Sequence, residues 1–354
     1  HGQAAGHGHP AHDAMTPLEI ATPYLVFLGG TASATDAKTG FGLVQWRYEA
    51  CVGQLRYPGC KVDLGLPEML PAEAKAAGAA SLVIGVAPVG GGFEPAWLAT
   101  FVDAMRAGLD IVSGMHARLG SNESLVRVAR ETGRRLVDLR RPPDGIPVAT
   151  GRRRTGRRVL TVGTDCCVGK KYTALALHRE LAARDVPATF RATGQTGILI
   201  AGGGIPMDAV VSDFLAGAAE LLSPDNAPDH WDVIEGQGSL LHPAYAAVTL
   251  GLVHGSQADA LVLCHDLART ELDGYGGFPI PPLTYYMDRY LEIGLLTNPD
   301  VRVIGISLNT TGLSPGERAR ALTDAQEQTG LPVVDPIATG VASLADALLA
   351  GEPG

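Results

Sequence analysis

Residues 159–173 read VLTVGTDCCVGKKYT. Gly163, Gly169 and Lys170 satisfy the spacing G-x-x-x-x-G-K, directly after an apolar strand-like run and before a helix-like one. That context is the one a phosphate-binding loop requires. Glycines let successive backbone N–H groups turn inward around an anion, and the start of the following helix adds partial positive charge. Gly163, Thr164, Asp165, Cys166, Cys167, Val168, Gly169, Lys170, Lys171, Tyr172 and Thr173 are therefore the candidate binding residues for a phosphate-bearing ligand. The usual Ser/Thr after the lysine is replaced by Lys171. That hydroxyl normally holds Mg²⁺ in nucleotide hydrolases. A second ammonium repels Mg²⁺ and favours more phosphate, and Thr173 substitutes only if the geometry differs. Cys166 and Cys167 sit beside two lysines and a helix start, which predicts a lowered thiol pKa and makes an acyl-enzyme conceivable. Small side chains fitting a tight loop are the simpler reading of the two cysteines.

The rest of the chain restricts what surrounds this loop. Its 354 residues suggest two domains. Hydrophobic residues make up 46% and charged residues 18%, enough apolar material for large cores. The net charge of -9 argues against a nucleic-acid binder, and no apolar run reaches the length of a membrane span. Five cysteines without a C-x-x-C argue against a disulfide framework or structural zinc and suit a reducing cytoplasm. Of the 28 basic residues only 5 are lysines, and two of these are adjacent at 170 and 171.

Strand-like and helix-like stretches alternate from about residue 22. Strands are predicted at 24–28, 61–64, 81–87, 109–112 and 135–139, with helices at 67–77, 95–107 and 122–132. In the second half strands are predicted at 159–163, 189–192, 231–235, 260–265, 302–308 and 332–334, with helices at 170–184, 207–222, 315–329 and 341–349. This order implies α/β architecture with parallel sheets. We divide the chain into a His-rich mobile leader (1–15), a Rossmann-like domain (16–150) and a phosphate-loop α/β domain (151–354). The first strand ends in Gly29-Gly30-Thr31, which is not a full dinucleotide fingerprint and reads as a sharp turn. The stretch 140–158 holds seven arginines, three prolines and three glycines. It reads as an interdomain connection, either solvated or serving as an anion-steering patch.

Acids and imidazoles follow the predicted strands of the second half. Glu235 ends an apolar strand at the sheet edge where open α/β proteins place their chemistry, as a general base, a metal ligand or a structural acceptor. His242 and His265 are further catalytic candidates. Gln195 and Thr196, in a glycine-flanked turn after a strand, suit a small polar ligand. In the first half Arg47 and Arg56 are candidate clamps for carboxylates, and His116 follows a strand end.

The stretches GTDCCVGKKYTALAL, ATGQTG, DVIEGQGSLLHPAY and TLGLVHGSQADALVLCH together resemble the DgcN family of D-glutamate (D-amino acid) N-acetyltransferases. AKTGFGL, CVGQLRYPGCKVDLGLP and VSGMHARL extend the resemblance into the first half, to roughly residues 22–350. The resemblance implies an N-terminal Rossmann-like domain, a C-terminal P-loop domain, and transfer of acetyl from acetyl-CoA to a D-amino acid, chiefly D-glutamate. Two lysines can hold the phosphates of coenzyme A without hydrolysis, so no metal is expected. On this reading Glu235 or His242 deprotonates the amine, N–H groups near 236–238 meet the oxyanion, and Arg56, His116, Gln195 and Thr196 hold the substrate. Direct transfer is expected over a cysteine acyl-enzyme, in a cytoplasmic enzyme with no membrane partner; a homo-oligomer is left open. The loop also resembles the dethiobiotin-synthetase type, so a Mg-ATP-dependent ligase or kinase is the alternative. A nucleotide-sensing regulator without turnover is the third reading.

Overall fold

The computed structural model describes residues 18–34, 36–87 and 92–350; the expected leader at 1–15 lies outside them. The first half runs β1 (Tyr24–Gly29), α1 (Lys38–Arg47), β2 (Cys51–Arg56), α2 (Pro71–Ala76), β3 (Ser81–Ile84), α3 (Pro95–Ala107), β4 (Asp110–Ser113), α4 (Glu123–Thr132) and β5 (Leu136–Asp138). The second runs β6 (Arg157–Gly163), α5 (Lys170–Ala183), β7 (Ala188–Arg191), α6 (Gln195–Ala201), α7 (Leu215–Leu222), β8 (Trp231–Ile234), α8 (Ala246–Ser256), β9 (Ala260–Asp266), α9 (Leu283–Gly294), β10 (Arg302–Asn309), α10 (Pro315–Thr329), β11 (Val333–Val334) and α11 (Ala342–Leu349). Each half forms one parallel sheet, ordered β2-β1-β3-β4-β5 and β11-β10-β9-β6-β8-β7. The chain thus pairs a Rossmann-like sheet with a P-loop-like sheet. In both, the first strand has neighbours on either side, so its carboxyl end opens into the crevice where α/β folds bind ligands. Among the described residues no helix is long and apolar enough to cross a membrane.

Several expected elements differ. Residues 61–64 are not a strand: they fold over Gln54, whose Oε1 accepts from Leu64 N at 2.9 Å. The strand of that region is β2, ten residues earlier, which pairs with β1. Helix α1 was not expected, because KTGFGLVQWR carries two glycines that lower helix propensity. They are there for close approach: a Cβ on Gly40 would stand 3.3 Å from Gly85 O, and one on Gly42 would stand 2.9 Å from Thr196 Cγ2. Helices α6, α8 and α9 also escaped the pattern. Helix α8 (AAVTLGLVHGS) is apolar on most sides and gives no clear 3.6-residue stripe. The helix expected over 207–222 forms only at Leu215–Leu222, after two short 3₁₀ turns.

A continuous apolar cluster joins the two sheets. It runs from Leu25, Val26 and Phe27 of β1 through Leu43 of α1 to Ile198, Leu199 and Ile200 of α6, and on to Val233. Helices α1 and α6 lie side by side at this junction. Arg47, at the end of α1, donates to Leu199 O (3.1 Å) and Ile200 O (2.8 Å). At the other end, Thr39 Oγ1 lies 3.4 Å from Thr196 Oγ1. Both helices therefore point their N-termini the same way.

The arginine run is neither solvated nor an anion patch at its centre. Arg154 is buried and donates to Ser223 O (2.7 Å), Gly255 O (2.6 Å) and Ser256 O (3.0 Å), capping the ends of α7 and α8. Burial, then the like charge of Arg158, lowers its pKa to about 10. Arg158, also buried, donates from Nε to Ser223 Oγ at 2.7 Å.

Candidate active site

The loop between β6 and α5 is held by its own side chains. A Cβ on Gly163 would stand 2.9 Å from both Lys170 Nζ and Val168 Cγ2, so that position needs glycine. Cys167 (φ 54) and Gly169 (φ 105) take the left-handed conformation that turns backbone N–H groups inward. Asp165 is fully buried; its carboxylate accepts from Cys166 N (2.7 Å), Arg269 Nη1 (2.7 Å) and Asp273 N (2.8 Å). Tyr286 and Tyr290 donate to Thr164 O (2.9 Å) and Gly163 O (2.6 Å). Lys170 Nζ donates to Asp165 O at 2.7 Å across the loop, and burial lowers its pKa.

Thr173 does not replace the missing hydroxyl. Its Oγ1 is buried, donates to Gly169 O at 2.9 Å and lies 2.7 Å from Ser307 Oγ on β10. The thiols also depart from expectation. Burial pushes Cys166 up to about 11, outweighing the opposite pull of Lys170. Desolvation of a thiolate here exceeds the help from one ammonium, so the expected lowering is not found at Cys166. Cys167 is exposed.

Glu235 and Lys171 face each other beside the loop. Glu235 follows β8 and is 3% exposed. Its Oε2 accepts from Thr193 N (2.9 Å) and Gly194 N (3.1 Å), the residues leading into α6. Burial raises its pKa, opposed by the Thr193 N–H and then by the Lys171 charge. Two glycines make room for it: a Cβ on Gly197 would stand 2.3 Å from Oε2, and one on Gly194 would stand 3.4 Å from Oε1. Burial lowers the Lys171 pKa, opposed by Glu235 and reinforced by Lys38. Among the described residues the Lys171 ammonium has no hydrogen-bond or ion-pair partner; it lies 4.7 Å from the centre of the Tyr172 ring. A carboxylate pushed up and an amine pushed down in one crevice mark a place suited to proton transfer.

The other candidates divide. Thr196 is at this junction. Gln195 packs on the first half: a Cβ on Gly114, just past β4, would stand 2.0 Å from its Oε1. His242 is buried, and its Nδ1 accepts from Ala244 N (3.1 Å) and Tyr245 N (3.2 Å). Its hydrogen therefore belongs on Nε2, which lies 4.0 Å from Asp165 Oδ1. Asp165, Cys166 and His242 come within metal-ligand distance of one another. Asp165 Oδ2 and His242 Nδ1 already accept from protein donors, and burial raises the Cys166 thiol pKa. His265 Nδ1 pairs with Thr164 Oγ1 at 2.8 Å, and burial lowers its pKa. Arg56 ends β2 in ion pairs with Glu68 and, at 3.4 Å, Asp63, and donates to Val62 O at 3.1 Å. Its charge is met by its own domain. His116 is exposed two residues beyond Gly114. Gly236 N donates to Thr161 Oγ1 at 2.9 Å, which removes it from the expected oxyanion donors.

A cleft of about 320 Å³ opens on the outer side of the loop, lined by Gly169, Tyr172, Asn309, Arg318 and Asp335 and by Gln45 of α1. Thus α1 reaches the site at two points, Gln45 in the cleft and Gly42 beside Lys171, where a Cβ would stand 3.9 Å from Nζ. From α1 sequence reading offered only Arg47 as a carboxylate clamp, and that side chain ties α1 to α6 instead. The signal on α1 was a third scarce lysine, Lys38, in a glycine-bearing stretch.

Residues 147–345 match the family model described as a domain of unknown function, DUF1611, P-loop domain; residues 56–142 match its Rossmann-like N-terminal companion. A protein from Tritonibacter scottomollicae named D-glutamate N-acetyltransferase is 49% identical over 331 residues, 94% of this chain and 99% of the relative. A protein of the same name from a Pseudoalteromonas species is 44% identical over 92% of this chain and 98% of its own length. The crystal structure of a DUF1611 family protein from Anabaena variabilis aligns with a TM-score of 0.81 at 33% identity, covering 94% of this chain and 100% of that one.

Proposed function

The chain belongs to the DUF1611 family, and we propose that it is a D-glutamate N-acetyltransferase whose active site lies between the phosphate loop, Glu235 and helix α1. The observation that carries the activity is likeness along nearly the whole of two relatives that bear that name. The geometry supports a division of labour. The loop and Lys170 receive phosphate of acetyl-CoA, and the cleft beside Tyr172 and Asn309 takes its adenosine end. With Lys171 at the hydroxyl position and Thr173 turned into the core, the loop is built for phosphate without Mg²⁺.

In the transfer the substrate amine must reach the thioester as a neutral nucleophile. Glu235 is the base we assign: its raised pKa keeps a proton acceptor close in strength to its task. The amine nitrogen attacks the thioester carbonyl carbon and gives a proton to Glu235. The carbon–sulfur bond then breaks, and the leaving thiolate takes the proton back from Glu235, which restores the base. His242 offers an N–H rather than a lone pair in this arrangement, so we assign it a donor's part. His265 acts on the loop through Thr164. The acetyl group passes directly to the amine, because the Cys166 thiol stays protonated near neutrality.

The test is release of free thiol from acetyl-CoA with D-glutamate or L-glutamate as acceptor, with and without EDTA and without ATP. Thiol release with the D isomer, unaffected by EDTA, is expected. Release only with ATP and Mg²⁺ would overturn the proposal in favour of a nucleotide-dependent ligase.

A further inference from the structure

Only five lysines occur in the chain, at 38, 61, 75, 170 and 171. Lys170 and Lys171 open α5, and Lys38 opens α1 in the other half. Lys38 and Gly42 are four residues apart on one helix, which places them on the same face about one turn apart. That face meets Lys171, since a Cβ on Gly42 would stand 3.9 Å from Lys171 Nζ. The neighbour of Lys38, Thr39, touches Thr196 across the same junction. Among the described residues neither ammonium has a hydrogen-bond or ion-pair partner. The Lys38 charge adds to burial in disfavouring the Lys171 ammonium, and a bound anion relieves both. Among the described residues the acid that faces Lys171 is Glu235, which already accepts from two backbone N–H groups.

Glu235 faces Lys171, and Lys38 lies about one helical turn along α1 from the point where α1 meets Lys171. An acidic amino acid offers one amine to the acid and two carboxylates to the two ammonium groups. We propose that Lys38 is the specificity-determining residue that receives the side-chain carboxylate of the substrate, while Lys171 holds the α-carboxylate and Glu235 faces the amine. The first half of the molecule thereby selects the substrate and the second half carries the cofactor. This assignment rests on the acetyltransferase reading for its kinetics but predicts dicarboxylate binding without any turnover.

The experiment compares wild type with Lys38→Met and Lys38→Arg, using D-glutamate and its neutral isostere D-glutamine as acceptors, and titrates glutarate by calorimetry in the presence of coenzyme A. Lys38 is exposed, so neither substitution disturbs a core. In Lys38→Met the kcat/KM preference for D-glutamate over D-glutamine falls by about tenfold or more. The KM for acetyl-CoA stays unchanged, and glutarate binding weakens by a similar factor. Lys38→Arg retains most of the preference. An unchanged preference and unchanged glutarate affinity in Lys38→Met would overturn the assignment, as would wild type binding no glutarate. If wild type transfers no acetyl group yet loses glutarate affinity on Lys38→Met, the functional reading fails and the carboxylate site stands.

Discussion

Each half of the molecule begins with a buried parallel strand that ends in a glycine turn, and the two turns have opposite fates. After β1, Gly29 takes a left-handed φ of 57, and a Cβ there would stand 3.0 Å from Trp97 Nε1. Its carbonyl accepts from Tyr57 N at 2.8 Å, and Thr31 O accepts from Lys61 N at 3.0 Å. The chain has filled that turn with itself. After β6, the turn curls around its own lysine and leaves Lys171 unpartnered beside a buried acid. Equivalent topology therefore gives two crevices, of which the one with unmatched charge is the candidate site. The first half still contributes, through α1 rather than through its own glycine turn.

The largest effect expected from breaking this arrangement is at Glu235. Glu235→Gln should lower kcat by about 10²–10⁴-fold, the usual contribution of a positioned base, while the KM for acetyl-CoA moves little. Steady-state kinetics check both. The pH profile gives the sign. The base works deprotonated, and burial raises its pKa above the ordinary carboxylate value, so kcat/KM should fall as pH drops through that raised value. That acid limb should vanish in Glu235→Gln.

A smaller effect is expected from paired glycine substitutions. Gly42→Ala drives a methyl to 2.9 Å from Thr196 Cγ2 at the α1–α6 contact and should destabilise by about 1–3 kcal/mol in denaturant unfolding. It should also raise the KM for D-glutamate. Gly30→Ala meets nothing within 4 Å and should shift stability by less than about 0.5 kcal/mol. Equal effects at the two sites would contradict the claim that the first half contributes through α1 rather than through its own glycine turn. Smaller again is Cys166→Ser, which should keep most of the activity; its abolition, with the fold intact by circular dichroism, would restore an acyl-enzyme.

Much of this was legible in residues alone. The alternation of strands and helices gave both parallel sheets, since buried parallel strands read as continuous apolar runs. The loop was legible because spacing, strand and helix must coincide there. Glu235 was legible from its place at a strand end. What escaped was decided by contacts distant in sequence. Helix α1 looks unlike a helix because Gly40 and Gly42 answer to Gly85 and Thr196, not to local propensity. Arg56 looked like a substrate clamp, but Glu68 and Asp63 meet its charge only once the 57–68 loop has folded back. Thr173 and Cys166 were read by neighbours in sequence, whereas Ser307 and burial set their behaviour. His242 was chosen as an imidazole near a strand, and only the turn that follows it fixes which nitrogen holds the hydrogen.

The most direct test of the account is a calorimetric titration of acetyl-CoA into wild type and Lys170→Ala, in EDTA and without nucleotide. The account predicts that wild type binds without metal and that the variant binds about 10–100-fold more weakly, the value of one charge-assisted contact to phosphate. Equal affinities in the two proteins would contradict it and move the cofactor off the loop.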